Sequence, residues 1–268
     1  MEAKEMIDIH THILPGFDDG VESRKEALRA VQNLIKNGIS GLVATPHVGR
    51  GGNTKPSPVR KMVKQLQDLL MEENINFTIY PGSEIMMYPR LGRDLSKGQI
   101  LPINDGLYLL IEIPAGFIPN FCSNVFYDLR VMGFRPIICH PERNLALIKN
   151  SEYLYRWLEE GAFAQLNAGS LLGFYGRRVQ EAAEIFIRKK CVQLIASDLH
   201  SDGRRSECMG SALQRVEELA GPGMVELFRM NSQLVIEDEV LEMPEPEPLT
   251  AGSFFHRIKG LFNRASSV

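Results

Sequence analysis

The sequence predicts an α/β fold in which seven parallel strands and their following helices form a distorted (β/α)7 barrel. Short apolar runs alternate with amphipathic stretches along the chain, which is the pattern of successive strand–helix units. The chain has 268 residues, close to the roughly 250 residues of a single TIM-like barrel. One barrel therefore accounts for nearly the whole chain as one domain.

Seven apolar runs are predicted to be the strands. Seven is one fewer than in a regular barrel, which is why the barrel is expected to be distorted. The predicted strands cover residues 6–9, 42–44, 77–80, 107–111, 136–139, 164–166 and 192–196.

Helices are predicted between these runs from their capping residues and apolar stripes. Ser23 and Glu26 form a capping box before a helix that Gly38 ends. Ser57 and Pro58 predict an N-cap and a first helical residue for the next helix. Further helices are predicted near residues 151–161, 176–190 and 207–220.

The chain is predicted to have three parts: a barrel over residues 1–236, a linker over 237–248 and a tail helix over 249–268. The linker has six acidic residues, three prolines and no basic residue, which favours an extended segment. The tail carries apolar residues on one helical face and three basic residues elsewhere. Such a helix can touch an anionic membrane surface, dock to a partner or pack onto the barrel.

Charge, apolar runs and cysteine spacing argue against a nucleic-acid partner, a signal peptide and a membrane span, and they favour a cytoplasmic location. The net charge is −3 and the pI about 6.1, so no nucleic-acid partner is expected. We find neither a signal-peptide pattern nor an apolar run near the ~20 residues of a membrane span. The four cysteines are widely spaced, as in a cytoplasmic protein with reduced thiols. The tail would add peripheral contact with the inner face of the membrane.

Five of the six histidines lie at the ends of predicted strands, beside other residues that bind metals. A parallel barrel gathers these ends at one face, and a H-x-H spacing puts both side chains on one side of a strand. Imidazole and carboxylate suit zinc, iron and manganese, whereas no thiolate belongs to these groups, which excludes a structural zinc ribbon. The candidate ligands are His10, His12, His47, Glu84, Glu112, His140, Asp198 and His200.

Some of these residues also have simpler interpretations. Alone, Asp18-Asp19-Gly20 is a turn sequence, and Glu84 is a solvated loop acid. Glu112 interrupts an apolar run that is expected to be buried, and a buried carboxylate needs a partner.

A multinuclear centre would activate water and hold the oxygens of a phosphate ester. Guanidinium groups bind phosphate in a bidentate manner. Arg143 and Arg204 are the candidate phosphate ligands, whereas Arg205 is predicted to be a solvated loop charge.

The motifs resemble a known family. The opening MIDIHTHILPGFDDG at residues 6–20 resembles that of the PHP-type protein-tyrosine phosphatases of bacterial capsule and exopolysaccharide operons. The later motifs ATPH (44–47), GSE (82–84), CHPER (139–143) and SDLHSDGR (197–204) match in order. The resemblance covers about residues 5–235. Its histidine frame is common to the PHP superfamily, whereas DDG and HPER are more specific to the phosphatase branch.

The resemblance implies a PHP barrel that binds three divalent ions, usually manganese, with iron, zinc or magnesium as alternatives. A hydroxide bridging the ions would attack phosphorus, and Arg143 and Arg204 would hold the phosphate. The implied ligand sets are His10, His12, Glu84 and Asp198; Glu84, Glu112 and His140; and Asp19, His47 and His200.

The activity implied by the resemblance is a protein-tyrosine phosphatase that depends on metal. Its implied partner is a membrane-associated bacterial tyrosine kinase that regulates capsule or exopolysaccharide synthesis. Independently, none of the four cysteines has an arginine six positions later, so the C-x5-R motif of cysteine-dependent phosphatases is missing.

Two other functions stay open at this point. One is a small-molecule phosphatase such as a histidinol-phosphate phosphatase, although the short connections at residues 49–57 and 167–173 favour an open site. The other is a metal-bound scaffold or regulatory domain that acts through the tail, against which the complete ligand set argues.

Overall fold

Parallel strands alternate with helices along the chain, as the sequence predicted. The structure, a computed structural model, describes residues 5–49, 55–201 and 203–249. The strands of the described residues are β1 (Met6–Thr11), β2 (Ile39–Ala44), β3 (His47–Val48), β4 (Thr78–Pro81), β5 (Glu84–Met86), β6 (Tyr108–Glu112), β7 (Arg135–Cys139), β8 (Phe163–Asn167) and β9 (Leu194–Ala196). The α-helices of the same residues are α1 (Arg24–Lys36), α2 (Pro56–Glu72), α3 (Leu91–Ser96), α4 (Cys122–Val131), α5 (Leu145–Lys149), α6 (Glu152–Glu159), α7 (Ala168–Leu171), α8 (Arg177–Arg188), α9 (Met209–Ala220) and α10 (Pro222–Ile236).

The strands form a barrel with seven strand positions. One sheet has the order β1-β2-β4 and the other β3-β5-β6-β7-β8-β9, and every pairing is parallel. Each of β2/β3 and β4/β5 occupies one position, because only two residues separate its halves. A bridge between Thr11 and Leu199 joins β1 to the chain just after β9. The prediction of a distorted seven-stranded α/β barrel is confirmed.

The breaks in the two interrupted strands have different causes. Pro46 lacks an N–H donor and cannot continue the ladder of β2. At the second break, a Cβ atom on Gly82 would lie 2.7 Å from Cγ1 of Val43, so the two strands approach too closely there for any other residue. Each break lies just before a candidate ligand, His47 or Glu84.

The helix starts test the capping predictions. Ser23 caps α1 by accepting a hydrogen bond from the backbone N–H of Glu26, as predicted. The prediction for the second helix is wrong by two residues, because α2 begins at Pro56 and Lys55 precedes it without a side-chain cap. Prolines 56 and 58 both lie in the first turn, where a missing N–H costs nothing.

Helix α10 and the acidic segment after it cover the amino-terminal ends of the strands. Ser232 accepts a hydrogen bond from the backbone N–H of Ile7 at 3.1 Å. Asn231 bonds the carbonyl oxygen of Gln193 and the backbone N–H of Glu242. The barrel is therefore closed at the end opposite to the carboxyl ends of its strands.

Residues 238–249 form no helix or strand but lie against the barrel. Leu241 and Leu249 are buried, Glu247 pairs with Lys189 at 2.7 Å, and the carbonyl of Leu249 accepts a hydrogen bond from Ser151. The three-part division of the chain remains a prediction, since residues 250–268 lie outside the described residues. Within the described residues, every helix is too short or too polar to cross a bilayer.

Replacing Tyr108 with phenylalanine is expected to lower the free energy of unfolding by about 1–3 kcal/mol. The hydroxyl of Tyr108 donates to the carbonyl of Glu239 at 2.6 Å and accepts from the N–H of Leu241 at 3.2 Å. The variant loses both bonds and leaves the buried N–H of Leu241 without this acceptor, whereas the carbonyl of Glu239 keeps a hydrogen bond from Arg135 at 3.2 Å. Urea denaturation measures the change. Tyr127→Phe, on an exposed face of α4, is the matched control; equal stability of both variants with the parent would contradict the prediction.

Candidate metal centre

The carboxyl ends of the strands bring all nine predicted ligands together. Their donor atoms fall into four overlapping groups, and within each group the atoms lie within 4.8 Å of one another. The groups are His10, Glu84, Cys139 and His140; His12, Asp19, His47 and His200; His10, His12 and Asp198; and His47, Glu84 and Glu112.

The H-x-H motif at the end of β1 is arranged by strand alternation. Thr11 points away from the centre, and its hydroxyl donates to the carbonyl of Val43 at 2.8 Å. His10 and His12 therefore share the opposite side, where their Nε2 atoms are 3.3 Å apart. The Nε2 atoms of these two histidines therefore face the same point.

Glu84 lies between four of the histidines. Its Oε2 is 2.6 Å from Nδ1 of His47, 3.4 Å from Nε2 of His12 and 3.5 Å from Nε2 of His10. Its Oε1 is 2.9 Å from Nε2 of His140. Burial opposes ionisation, but the surrounding imidazoles outweigh it and hold the pKa of Glu84 well below its usual value. Glu84 is thus an ionised carboxylate shared by several ligand groups.

Asp198 connects the histidines to the cations at the edge of the site. Its Oδ1 lies 3.5 Å from Nε2 of His10 and 3.4 Å from Nδ1 of His200. Its Oδ2 accepts hydrogen bonds from Asn167 at 2.7 Å and Arg143 at 2.6 Å. Although burial opposes ionisation, the neighbouring histidines lower the pKa of Asp198, so this residue also supplies a negative charge.

Two candidate ligands have left-handed backbone conformations. His140 has a φ of 34° and Asp198 a φ of 52°, which cost about 1–3 kcal/mol each for residues with a Cβ atom. Backbone hydrogen bonds hold both, from His140 N to Gln165 O at 2.7 Å and from Asp198 N to His10 O at 3.0 Å. Strain of this kind is typical of functional sites.

The Asp18-Asp19-Gly20 segment is a turn whose two acids face the histidines. Asp18 accepts hydrogen bonds from the N–H of Gly20 at 3.0 Å and from Nδ1 of His12 at 2.6 Å. Asp19, which is more exposed, lies 3.3 Å from Nε2 of His47 and 3.5 Å from Nε2 of His200. The segment is therefore a turn that also brings Asp19 close to two of the predicted histidine ligands.

The surroundings shift the pKa values of two histidines of the centre in opposite directions. Burial lowers the pKa of His12, but hydrogen bonds to Asp18 and Glu84 outweigh it and raise that pKa to about 10. Burial, together with the charge of neighbouring His12, lowers the pKa of His200 to about 4. Carboxylates that stabilise a proton on an imidazole equally attract a metal cation to the same nitrogen.

One of the three arginines contradicts its sequence prediction, while the phosphate-binding roles of Arg143 and Arg204 remain predictions. The guanidinium of Arg143 lies over the ring of Tyr175, 4.4 Å from its centroid, while it bonds Asp198. That of Arg204 lies 4.0 Å from the ring centroid of Phe174. The prediction that Arg205 is a solvated loop charge is wrong, because its Nη1 donates to the carbonyl of Asp198 at 2.7 Å and is 3.2 Å from Oδ2.

Sequence reasoning missed Cys139 and the polar residues of β8. The thiol of Cys139 lies 3.4 Å from Oε1 of Glu84, and burial raises its pKa well above the usual value, so it is a thiol and not a thiolate. Gln165 and Asn167 alternate along the apolar run of β8 and are fully buried. Two polar residues at period two in a buried strand were the available signal for an interior polar network.

A cleft opens beside the centre. Glu112, His140, Arg143 and Asn144 are among the residues that line it. A molecule that enters this cleft meets the candidate metal-binding side chains of Glu112 and His140 and the guanidinium of Arg143. The arrangement can thus bind an anion next to bound cations.

Known proteins resemble the chain along almost its full length. A family model described as capsular polysaccharide synthesis, CpsB/CapC, matches residues 6–237. Tyrosine-protein phosphatase YwqE of Bacillus subtilis is 33% identical over 251 residues, which are 93% of this chain and 99% of that protein. A putative tyrosine-protein phosphatase, CapC of Staphylococcus aureus, is 31% identical over 90% of this chain and 95% of its own length.

A solved structure has the same fold. It comes from a study of YwqE from Bacillus subtilis and CpsB from Streptococcus pneumoniae, described there as unique metal-dependent tyrosine phosphatases. The TM-score is 0.88 at 34% identity, over 91% of this chain and 100% of that one.

Proposed function

The chain belongs to the CpsB/CapC family of capsular polysaccharide synthesis proteins, and we propose that it hydrolyses phosphotyrosine in a protein substrate at this centre. Membership places it among metal-dependent protein-tyrosine phosphatases. The observation that carries the proposal is the convergence of nine histidine and carboxylate side chains beside a guanidinium-lined cleft.

The proposed centre holds three divalent ions, and manganese is the proposed metal. Nine donors exceed the four to six that one transition-metal ion takes, and Glu84 and several histidines belong to more than one donor group. Imidazole nitrogen and carboxylate oxygen are suitable donors for manganese. Bound ions would supply an activated water nucleophile and charge neutralisation for the phosphoryl oxygens. The proposed ligands are His10, His12, Asp19, His47, Glu84, Glu112, His140, Asp198 and His200.

The residues around the centre orient these groups and bind the substrate. Asp18 accepts the Nδ1 proton of His12, which leaves Nε2 of that ring directed at the centre. Arg143, held by Asp198 and the ring of Tyr175, keeps guanidinium N–H groups for the phosphoryl oxygens in the cleft. We propose that Arg204, stacked on Phe174, provides a second guanidinium.

The proposed substrate is a membrane-associated bacterial tyrosine kinase whose dephosphorylation regulates capsule or exopolysaccharide synthesis. The family description supports the capsular context, and an open cleft is compatible with a tyrosine on a protein surface. A cytoplasmic location is proposed because all four cysteines are unpaired.

The deciding experiment uses metal-stripped full-length protein, with Mn²⁺ added back. A tyrosine-phosphorylated peptide and histidinol phosphate serve as parallel substrates. We expect Mn²⁺ to restore turnover of the peptide, and His140→Ala to lose it. Turnover of histidinol phosphate alone would assign the chain to small-molecule phosphatases. Metal binding without turnover of either substrate would favour a scaffold.

Treatment with iodoacetamide is expected to leave this turnover unchanged. Burial raises the pKa of Cys122, Cys191 and Cys208 to about 12, so almost no thiolate, the reactive form, exists at neutral pH. The measurement compares Mn²⁺-dependent rates before and after alkylation, with a cysteine-dependent tyrosine phosphatase as the sensitive control. Inactivation that Mn²⁺ cannot prevent or reverse would contradict the metal-based mechanism.

A further inference from the structure

We propose that Gln165 and Asn167, the two buried amides of β8, form a relay that orients His10 for metal binding. Among the described residues, six of the seven strand positions end in proposed ligands, whereas β8 supplies none. Its two polar side chains are fully buried and contact two of those ligands, His10 and Asp198. The inference rests on the proposed metal centre and names positioning residues for it.

The orientation of each amide follows from its neighbour. The ionised carboxylate of Asp198 can only accept hydrogen bonds, so the atom of Asn167 that faces it at 2.7 Å is the donor Nδ2. The oxygen of Asn167 is then left to accept from Nε2 of Gln165 at 3.0 Å. One carboxylate thereby determines the direction of both amides.

The last step of the relay acts on the histidine. With its nitrogen bound to Asn167, Gln165 presents Oε1 to Nδ1 of His10 at 3.0 Å. An amide oxygen accepts only from a protonated nitrogen, so the Nδ1 of His10 carries the proton. The lone pair that can bind a cation is consequently on Nε2, which faces Glu84 and the rest of the centre.

A buried carboxylate from the HPER motif anchors the relay. Oε1 of Glu142 accepts from the backbone N–H of Asn167 at 3.0 Å and from the hydroxyl of Ser170 at 2.7 Å. Glu142 and Ser170 are both fully buried. These contacts hold the backbone at Asn167 so that its side chain reaches Asp198.

The relay thus connects two proposed ligands that belong to two different strand positions. Asp198 follows β9 and His10 lies on β1, and a change at either end is passed on through the amides. Partners that orient a metal-binding histidine in this way commonly change metal affinity by 10–100-fold, roughly, when they are lost.

The first test measures Mn²⁺ affinity of the full chain by titration. Gln165→Leu is expected to weaken binding by about 10–100-fold. Gln193→Leu is the matched control, because Gln193 is equally buried and bonds only backbone groups, namely the N–H of Ala164 and the carbonyl of Lys190. Equal affinities of these two variants would overturn the relay.

The second test needs no metal and therefore separates the relay from the proposed function. In the NMR spectrum of metal-free protein, the Nδ1 proton of His10 is expected to be protected from exchange. We expect Asn167→Leu, which removes no contact to His10, to abolish this protection, while Gln193→Leu preserves it. Persistence of the protected proton in Asn167→Leu would overturn the relay. Failure of the unmodified chain to bind Mn²⁺ would instead contradict the proposed function alone.

Discussion

Replacing Glu84 with glutamine is expected to lower Mn²⁺-dependent turnover of a phosphotyrosine peptide by about 10³-fold or more. Both oxygens of Glu84 face imidazoles, at 2.9 Å from His140 and 2.6 Å from His47. Glutamine removes the charge and turns an N–H group toward nitrogens that must bind cations. Bound metal ions contribute several kcal/mol of charge stabilisation in the transition state. A loss of about 4 kcal/mol lowers the rate by about 10³-fold.

The measurement pairs kcat/KM with metal content determined by elemental analysis, both in excess Mn²⁺. We expect the variant to retain fewer ions per chain, because one carboxylate serves several donor groups. Glu181→Gln is the control, since Glu181 is a carboxylate paired with Arg177 on α8 and lies outside all four donor groups. A Glu84→Gln protein with full metal content and full turnover would show that this carboxylate is not a shared ligand.

The sequence predicted that these side chains would converge because a parallel barrel simplifies the geometry. Every strand ends at the same face, so a polar residue after an apolar run could be placed without knowledge of tertiary contacts. His10, His47 and His140 are on three different strands or strand ends and meet at Glu84. Their roles as metal ligands remain proposals.

Side chains whose direction depends on neighbouring strands could not be predicted in this way. Arg205 turns back toward Asp198 because the chain after β9 folds over the site, and no local pattern distinguishes it from Arg204. Gln165 and Asn167 acquire their meaning only from Asp198 and His10, which are distant in sequence. Long-range polar partners are not encoded in periodicity.

The strand breaks illustrate the same limit within the fold. The count of seven strands was correct, but the interruption before Glu84 was not foreseen. A glycine at position 82 is needed because Val43 of the neighbouring strand approaches it, and this approach is a property of strand pairing. Local sequence thus predicts that a strand exists, while the partner determines where it bends.

Replacing Arg143 with lysine is expected to lower kcat/KM for the phosphotyrosine peptide by about 10²-fold, the usual cost of losing one preorganised donor. The guanidinium of Arg143 bonds Asp198 at 2.6 Å and lies 4.4 Å from the ring centroid of Tyr175, and both contacts leave other N–H groups free to face the cleft. An ammonium group keeps the charge but has no planar fork. It cannot bond Asp198, stack on the ring and bind phosphate together.

Arg177→Lys is the matched control, because Arg177 is an exposed arginine of α8 that also pairs with a carboxylate, Glu181, at 2.8 Å. We expect the control to keep kcat/KM, and we expect Arg143→Lys to keep its metal content because Arg143 supplies no metal-binding atom. A simultaneous loss of metal in Arg143→Lys would mean that Arg143 acts by holding Asp198 in place. Full activity with full metal content would remove Arg143 from the phosphate site altogether.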